Sequence, residues 1–364
     1  MLSSRQNLFI ESIAKKIVNN VFLTEFIPST SMIVFNITSA CNLNCKYCNQ
    51  LRKDKVFSYS KEKLIDLANQ FKDLGVELVV LTGGEPTIHP NFLEFSKKLL
   101  EYGIEVNFVT NGIFSPDLAY EISKLPFENV RMSVDSVIDY KKGMKNLNEF
   151  KKQNLKIILS PDSKIRSFTF SMVITKENFR EIPQNLQELA SLNEKIKEVN
   201  LLSLRDANEP AIMLDEEDVR EFNEEILPKI KKVSERFKLD GVYEKAMGLF
   251  SRTDIDKITK GVYVEHHQKG KPISCLNSVY NVNISYDGNV FACNGHRIHY
   301  YLGKDLKDVI IWGNVLKLPL KEILENAWKN RELLKDPSKN KNCETCCDFY
   351  NCINLKIDEL KRMN

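Results

Sequence analysis

Met32-Ile33-Val34-Phe35-Asn36-Ile37 runs directly into Thr38-Ser39-Ala40-Cys41-Asn42-Leu43-Asn44-Cys45-Lys46-Tyr47-Cys48. The first six residues form an apolar, strand-like run, and the rest place three thiols in a C-x3-C-x2-C pattern just past its end. Three thiolates this close can each hold one iron of a four-iron cluster. Three local ligands leave the fourth iron open to bind and activate a small molecule, whereas an electron carrier normally fills all four sites.

Outward from this stretch, strand-like runs alternate with amphipathic helical ones. Strand candidates centre on residues 35, 80, 107, 132, 172 and 201, with helical segments near 60–74, 90–102, 115–124, 138–153 and 178–193. Alternation of this kind predicts right-handed βα units and a parallel α/β sheet. Cys41, Gly84, Asn111 and Asp135 all fall at or just after the end of a candidate strand, where active residues of β/α barrels gather. The Gly83-Gly84-Glu85-Pro86 turn offers backbone amides that side chains cannot block, plus one carboxylate. That set suits a zwitterionic amino-acid end, with Glu85 for the ammonium and backbone N–H groups for the carboxylate.

These motifs in this order resemble the radical S-adenosylmethionine (radical SAM) superfamily. The resemblance rests on the cysteine run with Tyr47 before its last member and on Gly83-Gly84-Glu85-Pro86 after Glu77–Thr82. It rests also on Thr110-Asn111-Gly112, on Ser133-Val134-Asp135, and on Phe170–Thr175 leading to Asn178. It covers roughly residues 30–205 and implies a partial (β/α)6 TIM-like barrel. By resemblance, Cys41, Cys45 and Cys48 hold a [4Fe–4S] cluster whose open iron binds S-adenosylmethionine (SAM). One electron then splits the sulfonium bond, giving methionine and a 5′-deoxyadenosyl radical that removes a substrate hydrogen. Gly83, Gly84 and Glu85 would meet the methionine end of SAM, and Ser133 and Asp135 the ribose or the cleft beneath it. Thr110 and Asn111 would close the same mouth, Tyr47 would pack near the adenine, and Val173 to Thr175 would meet it through backbone groups. Each has a plainer reading: Ser133 and Asp135 as caps of a following helix, Asn111-Gly112 as a tight turn.

A second group of cysteines follows: Cys275, Cys293, Cys343, Cys346, Cys347 and Cys352. Asp287-Gly288 is a hairpin-turn signal that folds Cys293 back towards Cys275. The region resembles the SPASM and twitch extensions of the same superfamily, through Gly288-x4-Cys293 and Cys343-x2-Cys346-x5-Cys352. It departs from a full SPASM pattern at Lys356, where another cysteine is expected. Two complete auxiliary clusters need eight thiolates and six are present. The resemblance therefore implies one auxiliary [4Fe–4S] cluster, held by Cys275, Cys293, Cys343 and Cys346, with Cys352 able to replace one of the last two. By spacing alone, four such cysteines suit tetrahedral zinc equally. Cys347 reads as a spare thiol, and His266, His267, His296 and His299 as surface or hydrogen-bonded histidines.

Composition limits the alternatives. The net charge of +3 over 364 residues gives no case for nucleic acid, and no apolar run reaches the length of a membrane span. The amphipathic Leu8–Val18 run lacks a signal peptide's apolar core. Nine cysteines without an export signal point to metal ligation in a reducing, cytoplasmic compartment. The expected organisation is a helical lead-in over 1–30, the partial barrel over 31–205, a helical connector over 206–260 and a small cysteine-rich α+β domain over 261–364. In the connector, Asp215-Glu216-Glu217-Asp218 starts a helix and Pro228 kinks or splits it.

The reaction expected is hydrogen abstraction for peptide or protein side-chain modification, assisted by the auxiliary cluster. A flavodoxin or ferredoxin would supply electrons. Forty residues precede Cys41, too few for a leader-binding module, which argues against a leader-dependent peptide maturase. Two alternatives stay open: a twitch-type dehydrogenase of a sugar or cyclitol, matched by the seventeen residues between Cys275 and Cys293, and a non-enzymatic iron–sulfur or zinc protein.

Overall fold

The structure, a computed structural model, describes residues 31–48, 56–137, 147–196, 198–204, 210–249, 281–292, 297 and 309–330. Six strands follow the predicted centres: β1 (Met32–Thr38), β2 (Leu78–Gly83), β3 (Glu105–Thr110), β4 (Asn129–Ser133), β5 (Phe168–Ile174) and β6 (Val199–Ser203). Between them lie α1 (Lys61–Asp73), α2 (Phe92–Glu101), α3 (Pro116–Ser123), α4 (Glu149–Ile158) and α5 (Ile182–Ser191). This is an α/β fold with the strand–helix succession of a partial (β/α)6 barrel. The described residues fall into two compact units. One holds 31–40, 56–106 and the described residues from 281 on; the other holds 41–48 and 107–249.

In the first unit β1 is central, parallel to β2 on one side (Phe35 opposite Leu81) and to β7 (Asn281–Ile284) on the other (Phe35 opposite Ile284). The expected hairpin forms: β8 (Asn289–Phe291) runs antiparallel to β7, and β9 (Ile311–Asn314) antiparallel to β8. Gly288 closes the turn at φ +87°, in the left-handed region that a side chain resists. The hairpin is therefore built onto the strand that ends in the cysteine run. The core gathers on Phe35, whose ring lies 4.9 Å from Tyr59, 5.7 Å from Phe95 and 6.1 Å from Phe71. Phe71 comes from α1, where Leu64, Leu67, Ala68 and Phe71 recur at helical spacing and are buried. Ser60 fixes that helix's start by accepting from the Lys63 N–H at 3.2 Å.

In the second unit β3, β4, β5 and β6 pair parallel in sequence order. Of the helix expected over 138–153, the described part is Glu149–Ile158, which Asn148 caps by accepting from the Lys151 N–H. Residues 138–146 lie outside the described residues. Further on, Asp215 and Asp218 form a reciprocal capping box at α6 (Glu216–Glu221). The helical run changes just before Pro228: α6 passes through a π-helical stretch, Phe222–Ile226, into α7 (Leu227–Phe237), then α8 (Val242–Leu249). The wider π turn stands where a proline's missing N–H and bulky ring would break a regular ladder. The last helix among the described residues is α9 (Leu320–Lys329), with Leu320, Ile323, Leu324 and Ala327 buried along one face.

Candidate active site

The cysteine loop is held within its own unit by side chains from three later strands. Cys41, Cys45 and Cys48 are thiols, with Cys45 buried and the other two partly exposed. Cys48 N–H donates to the Cys45 carbonyl at 3.1 Å, curling the end of the loop. Cys41 Sγ accepts from the Leu43 N–H at 3.4 Å and from Asn111 Nδ2 at 3.9 Å. Donors aimed at sulfur favour the thiolate, the form that binds metal. Asn111 Nδ2 also donates to Asn42 Oδ1 at 2.7 Å, and Asn42 Nδ2 to the Ile113 carbonyl at 2.8 Å.

The Tyr47 hydroxyl donates to Asp135 Oδ2, and the other Asp135 oxygen accepts from the Val173 N–H at 2.8 Å. Asp135 is fully buried and sits just past the end of β4. One carboxylate thus joins the cysteine loop, β4 and β5. Asn178 completes the joint. Its Nδ2 donates to the Asp135 and Val173 carbonyls, each at 2.8 Å, and its Oδ1 accepts from the Thr175 N–H at 2.8 Å. The plainer reading of Ser133 and Asp135 as helix caps does not hold, since Asn148 caps α4. Asn111-Gly112 is indeed a turn, with Gly112 at φ +78° and its N–H on Thr110 Oγ1 at 3.0 Å.

Apolar packing shields the loop. Cys45, Tyr47 and Ile212 form a buried cluster, with Leu43, Cys48, Val173 and Leu204 packed against it. Lys46 pairs with Glu177 at 2.7 Å, both partly exposed, so that pair contributes little to stability.

The Gly83-Gly84-Glu85 turn, in the other unit, works through backbone. A Cβ on Gly83 would strike the Thr38 carbonyl oxygen; one on Gly84 would strike those of Ala40 and Ser39. Gly84 N–H donates to the Thr38 carbonyl at 2.8 Å and Glu85 N–H to the Ala40 carbonyl at 2.7 Å. The glycines therefore let β2's end lie against the root of the cysteine run. These two amides, expected to face a ligand carboxylate, serve that contact instead. The Glu85 carboxylate is buried and oriented by Thr87, whose N–H and hydroxyl donate to Oε1 at 3.2 and 2.6 Å.

Several supports had not been singled out from the sequence. Lys151 and Asn154 occupy core-facing positions of α4 together with Leu155 and Ile158. Lys151 Nζ donates to the Ser133 carbonyl at 3.3 Å; Asn154 Nδ2 donates to the Gly112 and Phe114 carbonyls at 3.1 and 2.7 Å. Two polar residues on the apolar stripe of a helix were the available signal. His89, beyond the glycine turn, takes the Asn91 N–H on Nδ1 and meets the Tyr59 carbonyl through Nε2 at 3.0 Å. Burial holds its pKa below the usual imidazole value, so it is a neutral brace.

The loop's thiols and thiolate-directed donors fit an iron–sulfur cluster, whose three cysteine ligands each hold a different iron. Among the described residues no three His, Cys, Asp or Glu side chains gather around a single ion. The six later cysteines, Cys275, Cys293, Cys343, Cys346, Cys347 and Cys352, lie outside the described residues. No helix among the described residues is long and apolar enough to cross a membrane.

The family model of the radical SAM superfamily matches residues 35–189, and that of the SPASM iron–sulfur cluster-binding domain matches residues 275–347. A Pyrococcus abyssi protein named "Probable GTP 3′,8-cyclase" is 33% identical over 119 residues, 32% of this chain and 37% of that protein. The chain thus spans little more than a third of that relative's length. An AdoMet-dependent heme synthase of Methanosarcina barkeri is 23% identical over 330 residues, 87% of this chain and 88% of that protein. The solved structure of Streptococcus suis SuiB bound to precursor peptide SuiA matches at a TM-score of 0.59 and 16% identity, covering 95% of this chain and 74% of that one.

Proposed function

The chain belongs to the radical SAM superfamily and carries a SPASM iron–sulfur domain, and from that premise we propose that it cleaves SAM reductively and abstracts a hydrogen from a peptide or protein side chain. The superfamily's cofactors are a [4Fe–4S] cluster and SAM, and the SPASM domain's are auxiliary iron–sulfur clusters. When bound, they supply the one-electron chemistry that makes a 5′-deoxyadenosyl radical.

The observation that carries this reading is the docked cysteine loop. Tyr47 anchors it on a buried carboxylate that also fixes Val173, while Asn111 braces Cys41. In this proposal Cys41, Cys45 and Cys48 hold the cluster, and Glu85, held rigid by Thr87, receives the ammonium of SAM. Gly83 and Gly84 set the turn that presents it. Thr110, Asn111, Ser133, Asp135, Tyr47 and Val173 line or shape the nucleoside side, and the apolar packing around Cys45 limits water at the cluster. Cys275, Cys293, Cys343 and Cys346, or Cys352 in place of one of the last two, hold one auxiliary cluster that accepts the electron left after hydrogen abstraction. The SPASM match ends at Cys347, short of Cys352. A peptide substrate is supported by SuiB, seen with its precursor peptide on a similar fold.

The test is anaerobic incubation of the reconstituted protein with SAM and dithionite, with peptide and sugar panels added in parallel. The proposal expects 5′-deoxyadenosine, formed faster with a peptide. Its absence from protein carrying a full complement of iron overturns the enzyme reading, and stimulation by a sugar alone overturns the peptide one.

A further inference from the structure

β4 and β5 alternate between two faces. Val130 and Met132 on β4, and Phe168, Phe170, Met172 and Ile174 on β5, are buried and form the apolar face. The opposite face is different. Strand register sets Asn107 beside Asn129, Val109 beside Arg131 and Thr169, Ser133 beside Ser171 and Asn200, and Val173 beside Leu202. The inner face of a β/α barrel is ordinarily packed with branched apolar side chains. Here the face that ends in Ser133 and Val173 stays polar for two rows back toward the strand starts.

Part of that polar surface is unsatisfied. Asn107 Oδ1, Asn129 Oδ1, Arg131 Nε and Ser171 Oγ are buried without a hydrogen-bond partner, and Ser171 as a whole is 5% exposed. Asn129 does use its other end, donating Nδ2 to Thr169 Oγ1 at 3.1 Å. Buried polar atoms in native proteins are nearly always met by protein, water or ligand, so a run of orphans on one face marks a place that water or a polar ligand can fill.

The charge on that face identifies the ligand's chemistry. Lys245, reaching in from α8, donates to Asn200 Oδ1 and, at 3.4 Å, to Glu198 Oε1. Glu198 is the acid whose field acts on both Lys245 and Arg131, while burial disfavours the charge on each cation. Among the described residues, two cations acting on one carboxylate leave one positive charge uncompensated, and Arg131 keeps its proton in any protein setting. A guanidinium with an open Nε edge suits a planar carboxylate or a phosphate.

We infer that the polar face of β3–β6 is a substrate subsite, and that Arg131, with Lys245 beside it, takes a carboxylate or phosphate group of the substrate. This rests on the proposed function, since the face matters only if the row at Ser133 meets SAM. Arg131 lies two residues before Ser133 on the same face, about 7 Å along the strand. The substrate's anionic end would therefore sit that far behind the carbon that loses hydrogen. The competing reading is a structural ion pair between Arg131 and Glu198.

The test uses reconstituted holoenzyme and two probes, inorganic phosphate and succinate, titrated by calorimetry and by thermal unfolding. Wild type should bind one of them, and the preferred probe names the group. Arg131→Gln should weaken that binding at least tenfold and lose the anion-dependent rise in melting temperature. Glu198→Gln, which removes the competing carboxylate, should tighten binding severalfold, and it decides the matter if Arg131→Gln does not fold. Binding of neither probe by wild type, equal affinity in Arg131→Gln, or a melting temperature lowered equally with and without anion overturns the inference. 5′-Deoxyadenosine formation by wild type, measured in the same preparation, is judged separately. Its loss overturns the proposed function while the anion result still reports on Arg131.

Discussion

Two segments at the ends of strands are built by opposite means. The Gly83-Gly84-Glu85 turn is held backbone to backbone, and its glycines remove the atoms that would prevent the contact. The cysteine loop is held by side chains, through Tyr47 to Asp135 and Asn42 to Asn111, with Asn178 tying Asp135 to β5. A backbone contact cannot yield without moving two strand ends, whereas a side-chain joint can be loosened one bond at a time. Substitutions in the turn should therefore act on folding, and substitutions in the joint on the loop and its cargo.

The comparison breaks most sharply at the thiols. Cys41→Ala, Cys45→Ala or Cys48→Ala should each lower 5′-deoxyadenosine formation by about 100-fold or more, while circular dichroism stays unchanged, because each removes a proposed cluster ligand and no packing of comparable weight. Retained cleavage in any one, read by chromatography of the quenched reaction, would remove that cysteine from the site.

Next is the turn. Gly84→Ala puts a methyl group onto two carbonyl oxygens and should cost about 3 kcal/mol, read as a fall in the urea midpoint. Gly75→Ala is the control: Gly75, unlike Gly84, sits at positive φ (+65°), and no atom lies within 4 Å of the added Cβ. It should cost about 1 kcal/mol. Equal costs would mean that close approach is not what the glycine turn provides.

Tyr47→Phe removes one donor from a buried carboxylate and should cost about 2 kcal/mol, expressed as iron lost from the loop before the sheet unfolds. Chelator-driven iron release, followed by absorbance beside far-ultraviolet dichroism, separates the two events. Simultaneous loss would show that the joint belongs to the core of the fold.

The smallest effect lies at the α6 cap. Lys176 and the Asp218 N–H hold the exposed Asp215 carboxyl down at about 2. With the folded value depressed, its contribution is present above the unfolded value near 4 and is lost as pH falls through about 2. Asp215→Asn keeps the cap and loses the charge, so the change in melting temperature should be about 1 °C at pH 7 and vanish at pH 2. A difference that persists at pH 2 would assign the effect to the cap instead.

The six strands were legible because each is an apolar run of strand length bounded by helical periodicity, so the centres at 35, 80, 107, 132, 172 and 201 fall inside β1–β6. Of the helix expected over 138–153, the described part starts at a single cap, Asn148, and runs on to Ile158, past the expected end. The thiols and the glycine pair were legible too, being local signals. The joint was not, because Tyr47 and Asp135 stand 88 residues apart and Asp135 reads locally like a helix cap. Lys151 and Asn154 could have been found, since they occupy buried positions in a helical stripe. The role of the Gly84 and Glu85 amides could not, since nothing local says which carbonyls they meet.

The central claim is that Cys41, Cys45 and Cys48 hold the cluster to which SAM binds. The direct test is the electron paramagnetic resonance spectrum of the dithionite-reduced protein, with and without SAM, in wild type and in the Cys41→Ala/Cys45→Ala/Cys48→Ala variant. The account predicts a wild-type signal whose g-values shift on adding SAM, and a variant that lacks both the signal component and the shift. A SAM-dependent shift that survives in the variant would contradict it.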